Sequence, residues 1–313
     1  MDMNGVIIIN KPSGISSSDV VLKAKRILGV RKVGHTGTLD PLATGVLPLC
    51  INEGTKLAPF FADCEKEYVA TLRLGIETDT QDREGKIIQQ TEAIPQDVDR
   101  IQRIVQEFRG IMLQTPPMFS ALKHKGVPLY RIARAGGWVA RNPRTVTISG
   151  IEILACALPF ITLRVQCSAG TYIRTLCSDI GRKLSCGAHL VDLQRVRNGT
   201  FHIKDAVPLE ALQEGTRNGH RTRYLIPLNK ALGGLPEVVV DNPLITQIRH
   251  GVQSTVTDVG GIELPPAHSG QKAKIVTAQG QLLAVVEFLM DTEQAASCAP
   301  HLRVWKILRT FMN

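Results

Sequence analysis

Apolar residues follow two spacings along the chain. The run VIII (6–9) is four β-branched residues closed by NKPSG (10–14), the pattern of a buried strand and a turn. SSSD (16–19) then offers helix caps to 20–28, where Val20, Val21, Ala24, Ile27 and Leu28 recur at helical spacing. A strand is predicted over 46–52, another over 68–74 (YVATLRL, alternating), and a further one begins within 85–90. Residues 95–109 predict an amphipathic helix through Val98, Ile101, Ile104, Val105 and Phe108, stopped by Gly110. Paired strands are expected over 146–158 and 160–168, a helix over 171–184 after Ala169-Gly170, and a strand over 191–196. From 202 to 234 the pattern weakens into Gly-punctuated polar sequence, read as a connector. Short strand signals follow at 237–240, 252–256, 274–277, 282–288 and 303–308, which predicts a small β-rich domain.

Charge sharpens this division. The chain of 313 residues carries +9, but residues 233–313 hold six Lys/Arg against seven Asp/Glu, so 1–232 carries +10. An excess confined to one part points to a polyanionic partner, with nucleic acid foremost. Residues 116–145 concentrate it: Lys123, His124, Lys125, Arg131, Arg134, Arg141 and Arg144 are interleaved with Tyr130 and Trp138, and no acid occurs. A solvated basic face is the ordinary explanation of such a run; thirty residues without a carboxylate favour a phosphate-contacting insertion. The seven cysteines are odd in number and contain no C-x-x-C pair, so neither a disulfide framework nor a zinc site is expected. No apolar run approaches the ~20 residues of a membrane span, and no signal peptide opens the chain. The expected location is cytoplasmic, in a reducing compartment.

The stretch GHTGTLDPLATGVL (34–47) places one carboxylate, Asp40, on a Gly/Thr/Pro loop ahead of an apolar strand. A lone Asp before Pro is ordinarily a turn-former; the alternative is a catalyst.

GHTGTLDPLATG (34–45) resembles the active-site loop of bacterial TruB-type tRNA pseudouridine synthases. Five further blocks agree in order and spacing: NKPSGISSSDVV (10–21), KEYVATLRLG (66–75), TPPMFSALKHKG (115–126), CSAGTYIRTLCSDIG (167–181) and GAHLVDLQRVRNGTF (187–201). The tail resembles a PUA domain, a small RNA-binding barrel. The resemblance implies an α+β pseudouridine synthase fold with a mixed, mainly antiparallel central sheet, plus a small C-terminal β-barrel (PUA-like). The implied domains are 1–232, with the basic insertion 116–145, and 233–313.

The activity so implied is conversion of uridine 55 in the TΨC loop of tRNA to pseudouridine, with base flipping. It is an isomerisation, so no cofactor and no metal is expected. The family pattern makes Asp40 the nucleophile, attacking the sugar C1′ or the uracil ring, with Arg174 as its cationic partner. Tyr68 stacks on the flipped uracil and is a candidate acceptor of the C5 proton, which puts it in the catalytic set with Asp40 and Arg174. Tyr172 is a second substrate-binding tyrosine, Leu193 the apolar wall of the uracil slot, and His35 a member of the RNA stack. Lys11 and Lys56 are weaker candidates for phosphate or pocket contacts. No second carboxylate at a matching motif offers a base for a glycosidase. Ala169 stands where the family usually reads CSKGTY, removing a positive charge near the pocket.

The expected partner is tRNA, through its T-arm and elbow. Guide-dependent relatives lack an insertion like 116–145, so no guide RNA is expected; nor is a membrane, and nothing requires more than a monomer. An RNA-folding factor acting independently of catalysis is the competing reading.

Overall fold

The computed structural model describes residues 3–295 and 298–311. The β-branched run at the start forms β1 (Gly5–Lys11). Helix α1 (Ser17–Leu28) opens with a capping box, the Ser16 hydroxyl accepting from Asp19 N and the Asp19 carboxylate from Ser16 N, and closes on Gly29 in the left-handed region. β2 (Val33–His35) and β3 (Thr44–Ile51) enclose the loop of Asp40. After the short α2 (Ala58–Ala62) the chain enters β4 (Lys66–Leu74), then the hairpin of β5 (Ile76–Thr78) and β6 (Ile87–Gln90). Helix α3 (Val98–Gln106) leads to β7 (Gly110–Gln114). The basic insertion contains a short hairpin, β8 (Lys123–His124) with β9 (Val127–Pro128), and the six-residue α4 (Leu129–Arg134). β10 (Arg144–Ala157), β11 (Phe160–Cys167), α5 (Ile173–Lys183), β12 (Ala188–Asn198) and β13 (Phe201–His202) complete this part.

The main sheet runs β1-β3-β12-β4-β11-β10-β7, with β2 beside β3 and β13 beside β12. Only β12 and β3 are parallel, at Gln194↔Thr44 and Arg195↔Gly45. The sheet is therefore mixed and mainly antiparallel, as the resemblance implied. Its central strand β4 alternates buried and half-buried residues throughout, the period-2 pattern visible in YVATLRL.

The segment 202–234 is not the loose connector that its polar composition predicts. It contains α6 (Leu209–Arg217) and α7 (Leu228–Ala231), and it hydrogen-bonds at two points to the edge of β1 that β3 leaves free, Val207 N to Ile8 O at 2.9 Å and Ile226 N to Val6 O at 2.8 Å. Isolated anchors, Leu209, Leu212 and Leu228, seat it in the core. Beyond it, β14 (Glu237–Val240), α8 (Asn242–Arg249), α9 (Val256–Val259), β15 (Lys272–Thr277), β16 (Leu282–Phe288) and β17 (Trp305–Thr310) form the C-terminal part. Its sheet is four-stranded, β14-β15-β16-β17, and among the described residues the two edge strands do not pair to close the expected barrel. The strand expected over 252–256 is absent: Thr255 and Asp258 form a capping box that starts α9, so the local cap overrides the β-branched composition.

Candidate active site

Asp40 sits on the loop between β2 and β3, and its backbone surroundings are fixed from several sides. Leu39, Leu42 and Ala43 point into the core and anchor the loop. The Ser17 hydroxyl accepts from Leu39 N (2.8 Å) and lies 3.0 Å from Leu39 O, the Ser13 hydroxyl donates to Leu42 O (2.9 Å), and Gly14 N donates to Pro41 O (2.9 Å). Lys11 is fully buried, and its ammonium donates to the carbonyls of Pro12, Ile15 and Pro41 at 2.8, 2.7 and 3.1 Å. It holds the loop and faces no solvent, which corrects its expectation as a phosphate contact. Burial depresses its pKa to about 8. Lys56 instead pairs with Glu53 at 2.6 Å and donates to Thr310 O at 3.1 Å, bridging to the C-terminal sheet.

Arg174, in the first turn of α5, meets Asp40 with two charge-assisted bonds, Nε to Oδ2 at 2.8 Å and Nη2 to Oδ1 at 3.2 Å. Its remaining donors reach Thr80 O (2.9 Å) and Phe119 O (2.7 Å). The guanidinium is buried at 4% exposure while the Asp40 side chain keeps 34%, so the carboxylate is held from behind and open in front.

Tyr68 on β4 and Leu193 on β12 are both buried, at 8% and 5%, on adjacent strands where Leu193 faces Ala70 across the ladder. Burial raises the phenol pKa of Tyr68, and the charge of Asp40 adds to the rise. Tyr172 caps α5; Gln114 on β7 clasps its backbone, accepting from Tyr172 N at 2.8 Å and donating to Tyr172 O at 3.1 Å. Burial also raises the pKa of its half-buried phenol, and the neighbouring Ser120 side chain in the insertion opposes that rise. His35 ends β2; its Nδ1 accepts from Gly37 N at 3.3 Å, and burial, with the Arg195 charge, pushes its pKa down and so disfavours the charged imidazolium. The sequence-predicted residues thus converge around one loop, with Asp40 and Arg174 in direct contact. Among the described residues no cluster of three or more His, Cys, Asp or Glu could hold a metal ion.

Two family models divide most of the chain: TruB family pseudouridylate synthase (N terminal domain) matches residues 25–173, and tRNA pseudouridylate synthase B C-terminal domain matches 174–233. The tRNA pseudouridine synthase B of Syntrophus aciditrophicus (strain SB) is 43% identical over 99% of both chains. The chain belongs to the TruB family and is a pseudouridine synthase, an isomerase. The tRNA pseudouridine synthase B of Burkholderia pseudomallei (strain 668) is likewise 43% identical, over 90% of this chain and 92% of that one. Among solved structures, a chain of the Cbf5-Nop10-Gar1 complex shares 29% identity at TM-score 0.77 over 99% of this chain and 85% of its own. A chain of an H/ACA RNP bound to a substrate RNA containing 2′-deoxyuridine matches at 27% identity and TM-score 0.77, over 99% of this chain and 86% of its own.

In this TruB-family chain the sequence reading overlooked Asp82. Its Oδ2 lies 3.5 Å from Arg174 Nη1, and its Oδ1 accepts from Thr80 Oγ1 (2.6 Å) and Glu84 N (3.0 Å). A second carboxylate therefore does adjoin the site. It is buried at 5% and engaged by partners at both oxygens, so it serves the arginine and does not present a free base. The signal was present in TDTQDREG, where Thr, Asp and Gly crowd a turn, but nothing local to that turn indicates Arg174.

Proposed function

We propose that this protein isomerises uridine 55 in the TΨC loop of tRNA to pseudouridine, without a guide RNA, using Asp40 as nucleophile. The observation that carries the reading is the Asp40–Arg174 pair: a carboxylate gripped at both oxygens, one-third exposed, beside the apolar pair Tyr68 and Leu193. The glycosidic bond from N1 to C1′ breaks, the uracil turns, and a bond from C5 to C1′ replaces it. N1 gains a proton and C5 loses one, so the overall composition is unchanged. Asp40 attacks C1′ or the uracil ring, and two-point pairing leaves its lone pairs directed to the open side. Tyr68 lies against the flipped base and takes the C5 proton, Leu193 keeps water off while the ring turns, and Tyr172 and His35 contact the RNA around the vacated stack.

The names of the relatives support tRNA as substrate. The insertion supports T-arm recognition: Lys123, Lys125, Arg131, Arg134 and Arg144 are exposed, and Arg174 reaches its base at Phe119. Similarity to chains from H/ACA particles raises guide-dependent action as a second reading. An insertion of thirty residues without an acid favours stand-alone binding. The C-terminal sheet serves as a PUA-like RNA-binding domain, and the enzyme works as a cytoplasmic monomer.

The test is tritium release from C5-labelled uridine in a T-arm stem-loop, with no guide added, for wild type and Asp40→Asn. Release by the wild type that vanishes in the variant while RNA binding persists is the expected result. Tight binding with no release by the wild type would leave the RNA-folding reading in its place.

A further inference from the structure

Arg195, on β12, is 1% exposed, and among the described residues no Asp or Glu lies within ion-pair distance of it. Three of its donors go to backbone carbonyls around the loop of Asp40, Nε to Val46 O at 2.8 Å, Nη2 to Gly37 O at 3.0 Å and Nη1 to Thr38 O at 3.4 Å, and the guanidinium also lies against the Tyr68 phenol, where its charge opposes the rise that burial causes. The carbonyls of Gly37 and Thr38 receive no backbone donor among the described residues. A buried cation without an anionic partner is costly, and an apolar side chain would fill the same space without that cost.

The same residue touches the loop through its backbone. Arg195 pairs in parallel with Gly45, which is at φ +103, and a Cβ on Gly45 would come within 2.2 Å of Arg195 O. On its other side Arg195 is the direct cross-strand neighbour of Tyr68. Directly opposed residues in an antiparallel ladder project to the same face. Further along β12, Asn198 Nδ2 donates to Thr36 Oγ1 at 3.2 Å. The loop is thus held at residues 39–42 by Lys11, Ser13 and Ser17, and at 36–38 by β12.

We propose that Arg195 is a positioning residue for the pseudouridine synthase reaction: its guanidinium fixes the leading half of the Asp40 loop against the strand of Tyr68 and so sets the placement of the carboxylate relative to the phenol. This rests on the reading of Asp40 as nucleophile. Lysine at this position keeps the charge but cannot direct three donors to three carbonyls in a planar fork.

The experiment uses full-length Arg195→Lys and Arg195→Met, with Asp40→Asn alongside. Single-turnover rate at saturating T-arm RNA, RNA Kd, thermal midpoint and amide exchange over 36–43 are measured on each. Displacement of a reacting group by about 1 Å costs about 100-fold in rate. The expected result for Arg195→Lys is a rate loss of that order with Kd within about twofold, and faster exchange over 36–43 but not in α5. A merely structural role would move the thermal midpoint and global exchange without separating rate from binding. Arg195→Lys at the wild-type rate, or with unchanged loop exchange, overturns the proposal; the lysine variant decides it even where Arg195→Met does not fold. Activity retained in Asp40→Asn would instead refute the nucleophile reading, and loop exchange in Arg195→Lys would still report separately on the brace.

Discussion

Asp40 and Arg174 lie 134 residues apart in sequence and meet through two bonds, of 2.8 and 3.2 Å, with the guanidinium on the buried side. The arginine also spans the Thr80–Asp82 turn and Phe119, so three chain segments besides its own helix meet at one planar cation.

Arg174→Lys is expected to lower kcat/KM by at least about 100-fold, because one ammonium cannot reproduce the fork that orients the carboxylate. Arg174→Met leaves Asp82 buried without its cation and is expected to lose about 3–5 kcal/mol of stability. Urea unfolding reads the second effect and single-turnover kinetics the first. Unchanged stability in the methionine variant would mean that Asp82 is balanced by its Thr80 and Glu84 bonds alone.

Gly45→Ala combines a left-handed backbone position with a clash 2.2 Å from Arg195 O. A loss of about 1–3 kcal/mol from the backbone strain alone is expected, together with loss of activity. Gly14 is also at positive φ, but no atom lies within 4 Å of its added Cβ, so Gly14→Ala should cost less. Thermal unfolding of the two variants side by side separates close approach from dihedral strain.

Lys11 titrates near 8 when folded and near 10.5 otherwise. Between those values the unfolded chain retains a proton that the folded chain has released, so this group makes stability rise with pH across about 8 to 10.5. The difference in unfolding free energy between wild type and Lys11→Met should therefore shift in favour of the wild type over that window. A difference independent of pH would show that the buried ammonium is not destabilised.

Helix and strand positions were legible where periodicity and caps agreed. The Ser16/Asp19 box and the 3.6 spacing of Val20, Ala24 and Leu28 gave α1, and alternation in YVATLRL gave β4. The 202–234 segment was illegible because its core contacts come from scattered anchors that pack only once β1 is in place. In 252–256 the β-branched composition hid a T-x-x-D cap that the sequence did contain. The site was legible through motif resemblance, whereas Asp82 and Arg195 were not. Period-2 alternation from Leu193 places Arg195 on the core face, yet an inward charged residue is intelligible only when the carbonyls that receive it are known.

Replacing Lys123, Lys125 and Arg131 singly by Gln should weaken binding of T-arm RNA and reduce its salt dependence, by about 0.7–0.9 in the log–log slope for each phosphate no longer neutralised. Trp138, 71% exposed beneath the Arg141 guanidinium at 5.6 Å, is a further candidate for stacking on RNA, and Trp138→Ala should weaken binding without changing the slope. Slopes that stay at the wild-type value in all three charge variants would remove the insertion from the RNA interface.

β3 is apolar on both sides. Leu47, Leu49 and Ile51 enter the main core, whereas Val46 and Cys50 join Val6 and Ile8 against Val276, Leu282, Val285 and Phe311. The strand that leaves the Asp40 loop therefore has the C-terminal sheet as its rear wall. A chain cut after Leu232 would leave Val6, Ile8, Val46 and Cys50 without those apolar neighbours, immediately behind the Asp40 loop. The sheet that carries the Asp40 loop and the sheet that follows it thus share one apolar cluster and are expected to unfold together.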